Sequence, residues 1–157
     1  MPALLPLLAV AAASTTFNVP ATLNDQVPRA IEESGIPVLV PETIRSEFKK
    51  LYGNILPAPE GRYGLVLGAA KDCNGASVCG VANFYGHEGA KRRGGRKVTL
   101  AKGRTGYYTK SKCGANCSFP AVQWKQRGVL YTIEYKEGTG VKDLKVLANS
   151  AIKAGPR

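Results

Sequence analysis

Residues 122–154 constrain the fold of this chain more than any other stretch. β-Branched and aromatic residues occupy every second position over residues 122–125 and 129–135, which is the period expected for strands with one buried face. Gln126-Arg127-Gly128 lies between the two runs. It predicts a three-residue hairpin loop, a type I turn closed by a bulge, because the last position needs the positive φ that glycine adopts without steric cost.

A helix is predicted after this hairpin, over residues 141–154. Its apolar residues recur at helical spacing and are Val141, Leu144, Leu147, Ala148, Ala151 and Ile152. Thr139 is a candidate N-cap, Asp143 falls in the first turn, and Gly155-Pro156 predicts the end of the helix. The chain is therefore expected to finish as a hairpin followed by a helix.

Two further hairpins are predicted, from residues 63–68 with 81–85 and from residues 98–100 with 105–109. The expected fold is α+β: an antiparallel sheet of about six strands, a usual sheet size, with the C-terminal helix packed on one face and one or two N-terminal helices. The layer between sheet and helix is expected to contain Trp124, Tyr131, Ile133 and Leu147.

The N-terminal part is predicted to be less regular. Residues 14–35 are interpreted as a lead-in segment, extended at first and helical from Pro28 to Ser34, and residues 36–157 as a single domain. Ile36-Pro37-Val38-Leu39-Val40-Pro41 is expected to be an edge strand or an extended segment on the core, because proline cannot donate to a ladder. A second helix is predicted over residues 43–52 from the spacing of its apolar residues.

The first 13 residues carry no charged side chain and include Leu4-Leu5-Pro6-Leu7-Leu8-Ala9-Val10. This pattern is typical of a signal peptide, since an apolar core of about ten residues is too short to span a bilayer. Ala11 and Ala13 provide the small residues that precede a cleavage site, so we expect a mature chain that begins at Ser14 and is secreted or periplasmic. No Lys or Arg precedes the apolar core, and an ordinary apolar arm is the alternative.

The four cysteines lie as Cys73-x5-Cys79 and Cys113-x3-Cys117. An even number of cysteines in an exported chain favours disulfides, and the preferred pairs are the two local ones, although three pairings are possible. A four-thiolate zinc site is the alternative, but the spacing does not match the usual two to four residues in both halves.

The strongest charge asymmetry lies between residues 91 and 112. The whole chain has 22 Lys and Arg against 11 Asp and Glu, a net charge of +11. Nine of the basic residues and none of the acidic ones fall in this segment: Lys91, Arg92, Arg93, Arg96, Lys97, Lys102, Arg104, Lys110 and Lys112. Tyr107 and Tyr108 lie among them. Basic residues interleaved with aromatics predict a polyanion-binding site, and a solvated hairpin tip is the alternative.

Catalytic motifs are sparse. His87 is the only histidine and, beside Glu88, could act as a base. Gly75-Ala76-Ser77-Val78-Cys79 approaches a nucleophile elbow but has Cys where the last Gly belongs. The dinucleotide-binding, P-loop, HExxH and EF-hand patterns are absent from the sequence, and no cofactor or metal is expected.

Three parts of the sequence together carry a resemblance. They are the apolar residues 36–41 behind the signal-like start, Asp72-Cys73-Asn74-Gly75 with Cys79, and Trp124-Lys125-Gln126-Arg127-Gly128-Val129-Leu130-Tyr131-Thr132-Ile133 leading to Leu147-Ala148-Asn149-Ser150. They resemble small exported bacterial proteins of uncharacterised function. The resemblance implies a periplasmic or secreted α+β domain and implies no reaction, cofactor or catalytic residue.

The sequence thus predicts an exported, non-enzymatic domain that binds an anionic envelope component or another polyanion through residues 91–112. Two alternatives remain. One is a hydrolase that uses His87 with a nearby hydroxyl, which a cleft with His87 facing a Ser, Thr or carboxylate would favour. The other is a protein-interaction or inhibitor module that presents its disulfide-clipped loops.

Overall fold

The computed structural model describes residues 13–137 and 140–157. Within these residues a small antiparallel sheet pairs β1 (Thr15–Asn18) with β2 (Thr43–Ser46). The strands of the main sheet are β3 (Tyr52–Leu56), β4 (Arg62–Gly68), β5 (Gly80–Glu88), β6 (Arg96–Thr99), β7 (Thr105–Thr109), β8 (Ala121–Gln126) and β9 (Val129–Tyr135). The helices are α1 (Val19–Leu23), α2 (Gln26–Ser34) and α3 (Val141–Ala154), with a 3-10 turn at Ala101–Gly103. The predicted α+β class is confirmed.

The main sheet consists of two meanders. Its strand order is β3-β4-β5-β9-β8-β7-β6, so β3 to β5 form one meander, β6 to β9 form the other, and β5 pairs with β9 where the two meet. The connection from β5 to β6 must therefore pass three strands. We call this connection, residues 89–95, the crossover strap. It begins where the N–H of Gly89 donates to the carbonyl of Gly128, 2.9 Å away in the β8–β9 turn.

One face of the main sheet packs against the three helices. Buried residues of α1, α2 and α3 form one hydrophobic cluster with residues of the sheet. In this layer the rings of Trp124 and Tyr131 stack with centroids 5.7 Å apart. Trp124, Tyr131, Ile133 and Leu147 are all buried, as the sequence predicted.

The N-terminal segments pack on the same face. Val38, Leu39 and Val40 are buried in a segment that is neither helix nor strand, so this segment packs on the core as predicted but is not an edge strand. The hydroxyl of Tyr131 donates to the carbonyl of Pro37 at 3.0 Å and fixes this segment on the sheet. Helix α1 packs so closely on β3 that a Cβ on Gly53 would lie 2.8 Å from the Cα of Leu23, so only glycine fits at that position.

Two predictions for the N-terminal third are wrong. Residues 19–23 form a helix rather than an extended lead-in, because the side chain of Asn18 accepts a 2.8 Å hydrogen bond from the N–H of Ala21 and caps it. Residues 43–46 form β2 rather than the start of a helix over residues 43–52. Pairing with β1 satisfies the backbone hydrogen-bonding groups of this segment. Its burial alternates as in a strand, with only Ile44 and Ser46 of β2 buried. The helix predicted from Pro28 to Ser34 is confirmed, with its start at Gln26.

The predicted C-terminal hairpin and the helix after it are both present, but the hairpin loop differs from the prediction. Gln126 pairs directly with Val129, so the β8–β9 loop has two residues and the three-residue loop was wrong. Arg127 and Gly128 have φ values of 50° and 78°, and two successive positive φ angles are typical of a type I′ turn, whose twist matches that of paired strands. The helix itself and its end before Gly155-Pro156 are confirmed. The candidate N-cap Thr139 and residues 1–12 of the predicted signal peptide lie outside the described residues.

Candidate functional site

The face of the main sheet opposite the helices is polar along its centre. One row of residues in register crosses all seven strands on this face: Lys97, Tyr107, Gln123, Thr132, Tyr85, Gly64 and Leu56. Successive side chains of a strand point to opposite faces. Since Trp124 and Ile133 point into the core, Gln123 and Thr132 must point away from it. We call this side of the sheet the polar face.

Two hydrogen-bonded pairs occupy the middle of the polar face. Gln123 Nε2 donates to Thr132 Oγ1 at 3.0 Å, and Asn83 Nδ2 donates to Glu134 Oε2 at 2.8 Å. Asn83 is only 3% exposed, and its Oδ1 has no hydrogen-bond partner in the described part of the chain. Because β5, β9 and β8 are neighbours, these four polar side chains lie next to one another.

The crossover strap lies over the polar face. The N–H of Arg93 donates to Gln123 Oε1 at 3.1 Å. The guanidinium carbon of Arg92 lies 3.7 Å from the centroid of the Tyr107 ring, a cation–π contact. One hydrogen bond from the main chain of the strap and one side-chain contact thus fix the strap to the sheet. They place basic residues above the polar centre of the sheet.

Two adjacent cavities lie between the strap, the sheet and the neighbouring loops. Their volumes are about 560 and 630 Å³, and four lining residues are common to both: Arg93, Gln123, Thr132 and Glu134. The smaller cavity extends past Lys110 and Lys112. The larger one extends past Tyr85, His87 and Lys91 toward β4. We call the two cavities together the groove. Its floor is polar, and basic residues stand along its walls.

Burial and charge act against each other at Glu134 in the groove. Burial raises the pKa of its carboxyl, while the hydrogen bond from Asn83 and the positive charge of Arg93 lower it, and burial is the larger effect. Burial, together with the negative charge of Glu134, raises the pKa of Tyr85 to about 12. Like any tyrosine with a pKa of 10 or more, Tyr85 is protonated at neutral pH, and its phenol can donate a hydrogen bond.

The structure brings together most of the residues that were predicted to bind a polyanion. Lining residues of the groove among them are Lys91, Arg93, Lys110 and Lys112. The side chains of Arg96 and Tyr108 lie on the other side of the sheet, where the Arg96 guanidinium carbon is 5.7 Å from the centroid of the Tyr108 ring. Arg92, Lys97 and Tyr107 share the polar face through contact or register. Lys102 and Arg104 lie apart from the groove, at the 3-10 turn, where the N–H of Ala101 donates to Asn149 of α3 at 2.6 Å.

Sequence reasoning missed the floor of the groove. Gln123, Thr132 and Glu134 come from the strands of the C-terminal hairpin, at the positions that alternate with its core residues. That alternation was a usable signal, because half-buried polar residues on the outer side of a central strand need partners. Tyr85 could not be added from sequence, since its place opposite Thr132 depends on the pairing of β5 with β9.

His87 lines the larger cavity together with Thr132 and Glu134. It pairs with Leu130, so Thr132 is its diagonal neighbour, about 7–8 Å away between Cα atoms. Within residues 13–137 and 140–157 no side-chain hydrogen bond joins His87 to a hydroxyl or a carboxylate.

Both predicted disulfides are confirmed, with Cα atoms 5.8 Å apart in Cys73–Cys79 and 4.1 Å apart in Cys113–Cys117. The second closes a loop directly after Lys110 and Lys112, and Ser118 Oγ accepts a 3.1 Å hydrogen bond from the N–H of Lys112 at the base of that loop. Val78, in the first disulfide loop, is 84% exposed. A single exposed apolar residue is ordinary for a protein surface and does not by itself indicate an interface.

No helix in the part of the chain that the structure describes combines the length and the apolar character that crossing a membrane requires. The same part of the chain also contains no group of three or more His, Cys, Asp or Glu side chains placed to hold a metal ion. Comparisons of the chain with protein-family models, with curated protein sequences and with solved structures give no match.

Proposed function

We propose that this chain is an exported, non-enzymatic domain that binds a polyanion, such as an anionic component of the cell envelope, in the groove of the polar face. The observation that carries the proposal is the crossover strap. It holds Lys91, Arg92 and Arg93 over a polar sheet surface, and its attachment to Gln123 and Tyr107 fixes their position before any ligand arrives. A binding surface that is already ordered loses less entropy on binding.

Charge supports a polyanion as the occupant. Basic residues that line the groove include Arg62, Lys91, Arg93, Lys110 and Lys112, whereas Glu134 is the only acidic residue that lines it within the described residues. A concave surface of one charge sign concentrates ligands of the opposite sign. Away from residues 91–112 the chain has 13 basic and 11 acidic residues, so the attraction is local.

The length of the groove favours an extended ligand over a single small ion. The row from Gly64 on β4 to Tyr107 on β7 crosses five neighbouring strands. With strands about 4.8 Å apart, this row is about 19 Å long. Several repeat units of a linear polymer fit along it. Export is part of the proposal and is supported by the two disulfides, which persist in oxidising compartments.

Salt-dependent binding tests this proposal. In the test variant Gln replaces the exposed groove lysines Lys91, Lys110 and Lys112. In the control variant Gln replaces Lys49, Lys142 and Lys153, which are also exposed but lie outside the groove. Affinity for heparin and for inorganic polyphosphate is measured by titration from 25 to 300 mM NaCl.

We expect the groove variant to bind more weakly and to reduce the slope of log K against log salt by up to about three, because each neutralised anionic group releases counterions. The control variant should bind like wild type, and both variants should unfold at the same temperature, since exposed charges contribute little to stability. Equal losses in both variants, or no binding of wild type to either polymer at the lowest salt, would show that the groove is not a polyanion site.

A further inference from the structure

The floor of the groove contains a carboxylate, which a surface that recognised charge alone would lack. Glu134 lines both cavities, beside Arg93. Its Oε2 accepts from Asn83, and its Oε1 has no hydrogen-bond partner within the described residues. Phosphate, sulfate and carboxylate groups of a ligand only accept hydrogen bonds at neutral pH, so an ionised Glu134 would repel them. A hydroxyl can donate to it.

The neighbours of Glu134 add hydrogen-bond donors to the same floor. Gln123 uses one of the two N–H bonds of its amide on Thr132, which leaves the other for a ligand. The Thr132 hydroxyl accepts that bond and can still donate its own proton. The protonated phenol of Tyr85 is a third donor. Donors and an acceptor side by side match hydroxyl groups, which donate and accept at once.

The end of the groove near β4 also has an apolar wall. Leu56, Pro57, Pro59 and Leu130 line the larger cavity beside Tyr85. Apolar and aromatic side chains of this kind pack well against the C–H surface of a ring that carries its polar groups on its edge. A chain of phosphates offers no such surface.

We infer that the ligand is an anionic polysaccharide, whose acidic groups contact the basic walls of the groove and whose ring hydroxyls bind Glu134, Gln123 and Thr132 on its floor. This inference rests on the proposed function and narrows it to one class of polyanion. Glu134 thereby acts as a specificity residue: it weakens the binding of polymers that offer only charge and strengthens the binding of polymers that also offer hydroxyls.

Two polycarboxylates separate hydroxyl recognition from charge. Polygalacturonate carries carboxylates and ring hydroxyls, whereas polyacrylate carries carboxylates alone. Both, with polyphosphate and single-stranded RNA as further probes, are titrated against the wild-type chain at 50 and 150 mM NaCl. We expect polygalacturonate to bind at least tenfold more tightly than polyacrylate at 150 mM, where the charge contribution is screened. This comparison needs no variant.

The substitution Glu134→Gln then gives a crossed result. Binding of polygalacturonate should fall about tenfold, because a hydrogen bond to a charged acceptor is lost, while binding of polyacrylate and polyphosphate should rise, because the repulsion is removed. Thr132→Val, which removes a hydroxyl from the floor and leaves the bond between Arg93 and Gln123 in place, should weaken polygalacturonate alone. Equal affinity of wild type for the two polycarboxylates, or tighter binding of polyphosphate or RNA, would overturn the polysaccharide inference and leave the polyanion proposal standing. Failure of every probe to bind at 50 mM would overturn both.

Discussion

Glu134 is a carboxylate that the fold half-buries, and burial determines how the stability of the chain depends on pH. Burial raises the pKa of this carboxyl above its ordinary value of 4.5, although Arg93 and Asn83 act in the other direction. The folded state therefore holds the proton to a higher pH than the unfolded chain does. The stabilisation that this shift contributes is fully present at a pH below the ordinary pKa, and it is lost as the pH rises through the raised pKa of the folded state.

Glu134→Gln should remove this loss of folding stability with rising pH, because Gln does not titrate. We expect the stability of the variant relative to wild type to increase as pH rises from about 4 through the raised pKa, and then to stay constant. Urea unfolding at pH 4, 5.5 and 7 measures the difference, and Glu60→Gln, at an exposed carboxylate, is the control. A constant difference between Glu134→Gln and wild type over this range would contradict the assigned effect of burial.

Trp124 tests the layer between the sheet and α3. It is 1% exposed and stacks on Tyr131, and its Nε1 has no hydrogen-bond partner in the described part of the chain. Trp124→Ala should destabilise the fold by about 3–5 kcal/mol through the cavity it leaves. Trp124→Phe should be much milder, at about 1–2 kcal/mol, because it removes volume but no hydrogen bond. Equal losses from the two substitutions, measured by chemical unfolding, would argue against a packing role.

The β8–β9 hairpin has a turn that its sequence does not favour. A type I′ turn needs positive φ at both positions, and Arg127 adopts 50° there although a residue with a Cβ resists it. The register of the two strands puts Arg127 in the turn, because Gln126 pairs with Val129. The sequence suggested a longer loop because only one of the two turn residues is glycine.

Arg127→Asn should therefore stabilise the chain. Asn-Gly is the preferred sequence of this turn, and we expect a gain of about 0.5–1 kcal/mol, or a few degrees in melting temperature. Arg127→Gln is the matched control, because it removes the same charge and keeps the unfavourable backbone angle. If Gln stabilises as much as Asn, the gain comes from charge and the turn is not strained.

Local patterns in the sequence predicted the hairpins but not the pairings between distant segments. The hairpins from residues 63–85 and 122–135 follow from local alternation and glycine, and the sequence contains both signals. Residues 43–52 were mistaken for a helix because Ile44, Phe48 and Leu51 fit helical spacing, whereas the pairing of β2 with β1 is a contact that no local pattern encodes. The groove depends on the same kind of contact. Its basic wall was visible as a charge run, but the place of Tyr85 beside Thr132 comes from β5 meeting β9.

The crossover strap joins the two meanders, which are otherwise held together by noncovalent contacts. A recognition site for a sequence-specific protease, inserted in the exposed strap after Gly94, allows the strap alone to be cut. We expect the two products to elute together in gel filtration, because the β5–β9 ladder and the common core remain, and to lose affinity for polyanions. Products that separate without denaturant would show that the strap contributes substantially to stability.

The strap also has a consequence for the order of folding. Within each meander consecutive strands pair across connections of at most 11 residues, so these strands can pair early in folding. The β5–β9 ladder instead pairs Glu88 with Val129 and Ala82 with Tyr135, residues at least 41 positions apart, and β6, β7 and β8 lie between its two strands in the sequence. Closing a long loop is entropically unfavourable until the contacts it permits are made, so docking of the two meanders should limit the folding rate. Because the groove floor combines residues of both meanders, the binding surface should be acquired in this last step, and the appearance of ligand affinity during refolding would report the docking directly.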